Sequence, residues 1–196
     1  MPEELRDHPD RLRWNARYRS EGPIFAPHPL VAAAFAAGLP AGPVLELACG
    51  RSGSALELAA AGRAVIAVDV SDLALAQLEE EAERRGLGER VDCVSADVPS
   101  YDPGGERFAL VLASLYWDPD AFRSACRAVL PGGLLGWEAL ALPEGAAGEH
   151  RPWHVAHGEL GTRLPPGFDV LAEEAVSSGR RRSTRVLARR APIARG

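Results

Sequence analysis

The sequence predicts an α/β fold, a doubly wound and mostly parallel sheet of seven strands that ends in a C-terminal antiparallel hairpin. Three observations predict it. Short continuous apolar runs at residues 44–48, 64–68, 91–95, 108–113 and 134–142 alternate with helix-forming stretches. Runs without polar alternation are buried on both faces, which is the habit of parallel strands between two helix layers. Two further runs, 168–175 and 184–188, are joined by a short Ser-Ser-Gly-Arg turn and read as antiparallel neighbours at one edge. At 196 residues the chain is sized for one core, so it is expected to be a single domain, with an N-terminal helical segment over 1–40, a central unit over 41–142, and an end piece over 143–196.

Residues 3–19 read as a charged helix that carries Leu12 and Trp14 among arginines. The proline-rich stretch 22–29 blocks helix and predicts an extended link. Residues 30–38 are apolar and helical, with Gly38 as the cap. After the first strand a helix is expected over 54–61, stopped at Gly62. Asp69 ends the second strand, and Ser71 or Asp72 caps a helix running to Gly86, whose wet face holds Glu80/Arg84 and Glu81/Arg85 as i,i+4 pairs. Asp97 ends the third strand. Asp118 and Pro119 open a helix with a cap and an N1 proline. Its Phe122, Ala125, Cys126 and Val129 form a core stripe, and Pro131-Gly-Gly133 ends it. Residues 143–167 have no clear period.

Composition narrows the function classes. The chain is 46% hydrophobic and 25% charged, as ordinary globular chains are. It has no apolar run long enough for a membrane helix and no signal-like start, so the expected address is the cytoplasm, away from membranes. Cys49, Cys93 and Cys126 make no C-x-x-C pattern and predict neither a zinc knuckle nor a redox pair. All 22 basic residues are arginine, which excludes lysine Schiff-base chemistry. Net charge is −5, and the basic excess is confined to the last twenty residues. An acidic body argues against nucleic-acid partners. The sequence is equally compatible with a monomer and a homodimer.

In a doubly wound sheet, ligands sit beyond the carboxyl ends of the strands. That edge should hold Glu46 to Gly53, Asp69, Asp97, Ser114 to Trp117, and Glu138. Ala48-x-Gly50-x-x-Gly53 has the spacing of a dinucleotide-binding loop, with Ala in the first place, and a small-residue turn into a helix lets backbone amides approach a ligand. Asp69 stands where a carboxylate accepts both hydroxyls of a ribose. Glu46 discriminates between cofactors, since its charge repels the pyrophosphate of NAD. The same charge attracts the ammonium and sulfonium of S-adenosylmethionine (SAM). A nicotinamide oxidoreductase would also want a catalytic lysine or a substrate domain, and the chain has neither.

Taken in order, Val44-Leu-Glu-Leu-Ala-Cys-Gly-Arg-Ser-Gly, Val68-Asp-Val-Ser71, Ser95-Ala-Asp97, Phe108-Ala-Leu-Val-Leu and Leu130-Pro-Gly-Gly-Leu-Leu resemble the motifs of class I SAM-dependent methyltransferases, over about residues 40–142. Trp14-Asn-x-Arg17-Tyr18 is similar to the N-terminal segment of small-molecule members, nearest to the tellurite-resistance and thiopurine types. The resemblance implies a Rossmann-like fold and SAM as cofactor. It implies Glu46 near the methionine amine and Ala48, Cys49, Gly50, Ser52 and Gly53 along the methionyl and ribose parts. Asp69, with Val70 beside it, takes the ribose hydroxyls. Asp97 faces the adenine amino group with Val98 against the ring, and Ser114 closes the edge. Trp14, Arg17 and Tyr18 belong to a lid, with Arg17 and Tyr18 as candidates for the methionine carboxylate. Ala48 and Ser52 stand where the family usually has glycine, and Ala109 where it usually has an acid.

The acceptor implied is a small molecule. Tyr116 ends the fourth strand, where the family keeps acceptor-side residues, and a core role for its ring is the alternative. The Asn/Asp-Pro-Pro-Tyr signature of base N-methylation is absent there. Glu138 is a candidate general base or substrate contact, or a structural partner for an arginine. His150, His154 and His157 are lid candidates, with His154 and His157 as possible bases. Pro152 interrupts them, and no metal is expected. Arg180 to Arg182 read as an edge-protecting charge cluster. A SAM-binding protein without catalysis is the other reading.

Overall fold

The computed structural model describes residues 2–141, 152–179 and 181–192. Its helices are α1 (Pro9–Ser20), α2 (Pro29–Ala36), α3 (Gly53–Ala60), α4 (Asp72–Arg84), α5 (Pro119–Ala128) and α6 (Glu159–Thr162). Its strands are β1 (Val44–Leu47), β2 (Val65–Asp69), β3 (Val91–Ser95), β4 (Phe108–Ala113), β5 (Val129–Ala141), β6 (His154–Val155), β7 (Phe168–Ser178) and β8 (Arg181–Arg190). Seven strands form one sheet in the order β3-β2-β1-β4-β5-β8-β7, and β6 adds a two-residue parallel pairing to β5. β1 to β5 are parallel. β8 runs antiparallel to both β5 and β7. The doubly wound sheet with a terminal hairpin is therefore present as expected.

The apolar runs explain the layers. β4 is buried along its whole length because both sides are covered. On one face Leu30, Val31 and Ala34 of α2, Leu56 and Leu58 of α3, and Leu75 and Leu78 of α4 pack against Val44, Leu110 and Leu134. On the other, Phe122, Ala125 and Cys126 of α5 pack with Leu45, Val111, Leu135 and Trp137. Burying a large side chain of this kind is worth about 1.5–3 kcal/mol, so these two layers hold the sheet flat side to flat side. The chain order reverses between β1 and β4, and the C-terminal ends of those two strands frame the crevice.

Several boundaries differ from the sequence reading. The first seventeen residues of the charged stretch are not one helix: a 3-10 turn spans Glu3–Leu5, and α1 starts at Pro9 because proline sets the first helical φ while His8 stays extended at φ −61° and ψ 125°. Helix α5 stops at Ala128, before Pro131-Gly-Gly133, since Pro131 forces the preceding residue out of the helical region. Arg84 pairs with Glu81, not Glu80, through two bonds of 2.7 Å, and Glu81 also receives Arg85. The irregular stretch contains β6 and α6. The hairpin strands run longer than expected. β7 is the exposed sheet edge and carries a bulge between Val170 and Ala172, a device that blunts an edge against further pairing. Among the described residues no helix is long and apolar enough to cross a membrane.

Candidate functional site

The loop after β1 is built by two left-handed residues, Ala48 at φ 49° and Gly50 at φ 54°. Alanine pays for that conformation with roughly 1–2 kcal/mol of steric strain, and the surroundings hold it there. The Cys49 N–H donates to Val68 O at 3.1 Å, tying the loop to β2. Gly53 is required for a different reason: a Cβ there would collide with the backbone of Phe25 and Ala26, so the proline-rich link lies directly on the start of α3.

Ser52, the departure from glycine, has two defined jobs. Its hydroxyl accepts from Ala55 N–H at 2.9 Å, which caps α3, and donates to Glu46 Oε2 at 2.6 Å. Both side chains are buried. Burial pushes the Glu46 carboxyl up to about 7, with Asp69 adding to the rise and the Ser52 hydroxyl opposing it. A carboxyl raised above its unfolded value favours folding at low pH, and that contribution is lost as pH climbs from about 4.5 to about 7. Glu46→Gln should therefore remove this loss and raise stability at pH 8 by about 3 kcal/mol, while matching the wild type at pH 4. Thermal denaturation at the two pH values checks it. An unchanged pH slope in the variant would disprove the buried acid.

Asp69 is nearly enclosed at the end of β2. Its Oδ2 accepts from Gly50 N–H at 2.8 Å and its Oδ1 from Ser71 N–H at 2.7 Å. Burial raises its pKa, and the backbone donors of Ser71, Gly50 and Val70 oppose the rise. Each oxygen keeps a lone pair for a further donor. Val70 follows, half-buried.

Helix α1 lies against the start of α4 through polar contacts. Arg11 forks onto Asp72 at 2.7 and 2.9 Å and holds that carboxyl down at about 2. Asn15, buried, donates to Asp72 Oδ1 at 2.8 Å and accepts from the Ser71 hydroxyl at 2.6 Å. One turn on, the Tyr18 hydroxyl covers Gly50, so that a Cβ on that glycine would strike it. Trp14 stacks behind Tyr18 at 5.8 Å. Burial and the nearby Asp69 raise the Tyr18 pKa, so the phenol stays neutral. Of the three expected lid residues, Tyr18 reaches the loop and Trp14 supports it. Arg17 turns to the surface and pairs with Glu21 at 3.1 Å. The buried cation here is instead Arg51, 4.6 Å from the centre of the Tyr18 ring and bonded to Glu21 O at 2.8 Å.

Asp97 lies past the end of β3 and opens a 3-10 turn whose Val98 is buried. Its Oδ2 accepts from Ser100 Oγ at 3.1 Å. His8 Nε2 approaches Oδ1 to 3.8 Å. On the other side of the crevice the chain leaves β4 through half-buried Ser114 and then Leu115, an exposed leucine at φ 55°. Strain of this kind gathers at functional loops. The Tyr116 carbonyl accepts from Trp137 Nε1 at 2.8 Å, and its ring lies 6.2 Å from that indole. Burial, with Asp118 and Asp97 adding to it, raises the Tyr116 pKa. Its hydroxyl is a donor at neutral pH, not a base.

Glu138 is buried and both its oxygens are engaged. Oε1 accepts from Ser183 Oγ at 2.5 Å, and Oε2 meets His28 Nε2 at 2.8 Å. His28 Nδ1 accepts from Leu30 N–H at 3.2 Å, capping α2 and leaving the ring proton on Nε2 for Glu138. His28 N–H donates to Ser54 Oγ at 2.9 Å. Burial raises the Glu138 pKa, but the His28 and Ser183 bonds outweigh it and the net shift is downward. The structural partner anticipated as an arginine is thus a histidine, and the cluster fastens α2 and α3 to β5 and β8. His154 lies in β6, and His157 Nδ1 is 3.1 Å from Thr184 Oγ1. His150 and Arg180 fall outside the described residues. Among the described residues no group of three His, Cys, Asp or Glu side chains stands close enough to hold a metal.

Sequence reasoning missed His8, Asn15, His28 and Arg51. His8-Pro9 and His28-Pro29 both repeat the cap-then-proline pattern of Asp118-Pro119, and of the two only His28 caps its helix through its side chain.

Residues 44–133 match the family described as "Methyltransferase domain". The match spans a little under half of the chain. It contains β1 through β4, the glycine loop, Glu46, Asp69 and Asp97. No curated protein matches the chain. Among solved structures, one described as "Conversion of a Disulfide Bond into a Thioacetal Group during Echinomycin Biosynthesis" is similar at 23% identity, over 94% of this chain and 93% of that one, with TM-score 0.70. TehB from Haemophilus influenzae is similar at 18% identity, over 92% of this chain and 66% of that one, with TM-score 0.72. Magnesium protoporphyrin IX methyltransferase from Synechocystis PCC 6803, with bound S-adenosylhomocysteine (SAH), is similar at 16% identity, over 83% and 81%, with TM-score 0.65. At these identities the likeness is one of fold.

Proposed function

We propose that this chain is a methyltransferase that transfers the methyl group of SAM to a small-molecule acceptor by in-line displacement. The observation that carries the reading is the pair of buried carboxylates, Glu46 and Asp69, on either side of the glycine loop. Two acids at such a loop, which a nearby cation draws into their ionised forms, suit a cationic nucleoside and oppose a pyrophosphate. The residues fit SAM in other respects. Gly50 takes a left-handed conformation that keeps the loop tight, Asp69 retains lone pairs for two vicinal hydroxyls, and Ser95 Oγ, at the end of β3, is buried without a partner among the described residues.

When bound, SAM supplies an electrophilic methyl on a sulfonium. The chain's residues do the rest. Glu46, ionised, attracts the ammonium, and Ser52 keeps its carboxylate oriented. Asp69 fixes the ribose. Val98 and Asp97 take the adenine, one against the ring and one at its amino edge. Tyr18, backed by Trp14 and Arg51, covers the loop and excludes water. Leu115 and Tyr116 face the acceptor. Positioning of this kind supplies most of the rate when the nucleophile is soft. A thiol, a selenide or a metalloid oxyanion suits the site best, because Glu138 is committed to Ser183 and His28 and the Tyr116 phenol stays protonated. Kinship with the tellurite-resistance and thiopurine types rests on the Trp14 to Tyr18 segment alone. For an acceptor that must lose a proton, His154 and His157 are the remaining bases.

Calorimetric titration with SAH, with NADH as control, tests the cofactor. Micromolar binding of SAH and none of NADH is expected. A screen of thiols and metalloid oxyanions then tests transfer. Tight SAH binding without turnover on any acceptor would leave a SAM-binding protein without catalysis. Absence of SAH binding would overturn the reading.

A further inference from the structure

The N-terminal segment delivers a side chain to the nucleobase end of this site. His8 is the last residue before α1, and its ring does not cap its own helix. Its Nδ1 is shut off from solvent and has no partner among the described residues. Its Nε2 stands 3.8 Å from Asp97 Oδ1, beyond a direct hydrogen bond. Asp97 itself receives one donor, Ser100, on its other oxygen. His8 and Asp97 thus face each other beside the buried Val98, too far apart for a direct bond. Buried polar groups are nearly always paired, and an orphaned one costs about 1–3 kcal/mol.

A planar base with a donor and an acceptor side by side on its edge satisfies both. An exocyclic amine donates to the Asp97 carboxylate, and the adjacent ring nitrogen accepts from His8 Nε2–H. We propose that His8 is a specificity-determining residue of the nucleobase subsite, which holds a 6-amino purine against Asp97 and thereby couples closure of α1 to the identity of the base. The inference rests on the cofactor reading above. A 6-oxo purine turns an acceptor toward the Asp97 carboxylate and loses both the bond and the pairing of His8, the kind of mismatch that sites built on hydrogen bonds reject strongly.

The test is calorimetry on the full chain with SAH and with its 6-oxo analogue S-inosylhomocysteine, in wild type, His8→Ala and His8→Gln. Hydrogen exchange of residues 9–20 is followed with and without SAH. Wild type should prefer SAH by about a hundredfold, and His8→Ala should lose about tenfold in SAH affinity and most of that preference. His8→Gln, which keeps hydrogen-bonding atoms, should recover part of both. SAH should protect α1 in wild type and much less in His8→Ala. If His8→Ala binds SAH as wild type does, or weakens with its preference unchanged, the proposal is overturned while the cofactor reading stands. If wild type itself binds no SAH, the cofactor reading fails and His8 falls with it.

Discussion

Replacing Asp69 with asparagine should weaken SAH binding by about 10- to 100-fold without lowering the melting temperature, the equivalent of one or two charge-assisted hydrogen bonds. The two readouts part because the carboxylate is costly to the empty protein. It is enclosed, and burial raises its pKa, so its ionised form is a burden at neutral pH. Asparagine removes the charge and still offers an acceptor to Gly50 or Ser71. Ribose hydroxyls, by contrast, lose the anion that would take both of them. Alanine at this position should behave differently. It strands the N–H groups of Gly50 and Ser71, at about 1–3 kcal/mol each, and for a chain of this size that lowers the melting temperature by roughly 5–15 °C. Differential scanning calorimetry beside an SAH titration separates the variants. An asparagine variant that binds SAH like wild type would sink the ribose assignment, and an alanine variant of unchanged stability would deny the two backbone bonds.

The parallel sheet was legible because its strands are short apolar runs with no other explanation. Phe108 to Ala113 has no polar residue to face water and is buried throughout. Caps were legible where the capping residue precedes the helix directly, as with Ser71, which accepts from Ala74 N–H at 3.1 Å, and Asp118, which accepts from Ala121 N–H at 2.8 Å. The lid pairings were not. Arg11 and Asp72, or Asn15 and Ser71, are more than fifty residues apart, and nothing local marks an arginine in an arginine-rich helix as the one that folds back. Arg17 was singled out for its place beside Tyr18, yet helix geometry sends Tyr18 inward and Arg17 to solvent. The Glu138 cluster joins residues from three distant stretches, so the identity of its partner waited on the topology of β8. Ser52 was a departure from glycine whose use becomes visible only with Glu46 beside it.

Removing residues 2–20 should cost SAH affinity at least about tenfold while shifting the melting temperature by only a few degrees, because what holds this segment is polar and peripheral. Within residues 2–21 the buried side chains are Leu5 and Asn15, and neither belongs to the two apolar layers around the sheet. The Arg11–Asp72 pair is partly open to solvent, and ion pairs of that kind contribute about 0–1 kcal/mol. Asn15 contributes two hydrogen bonds, whose net worth is about 1 kcal/mol each. Against this small loss, truncation removes Tyr18 from above Gly50 and exposes Asp69 and Glu46 to water. Solvent then competes for every donor and acceptor that a nucleoside would use, and the attraction between Glu46 and a bound ammonium weakens as the local dielectric rises. Affinity should fall much further than stability. Circular dichroism melting and calorimetry on the truncated chain measure both, and Asn15→Ala should show a smaller version of the same split. A truncated chain that no longer folds would make α1 part of the core, and one that binds SAH normally would mean that Tyr18 covers the loop without contributing to the site.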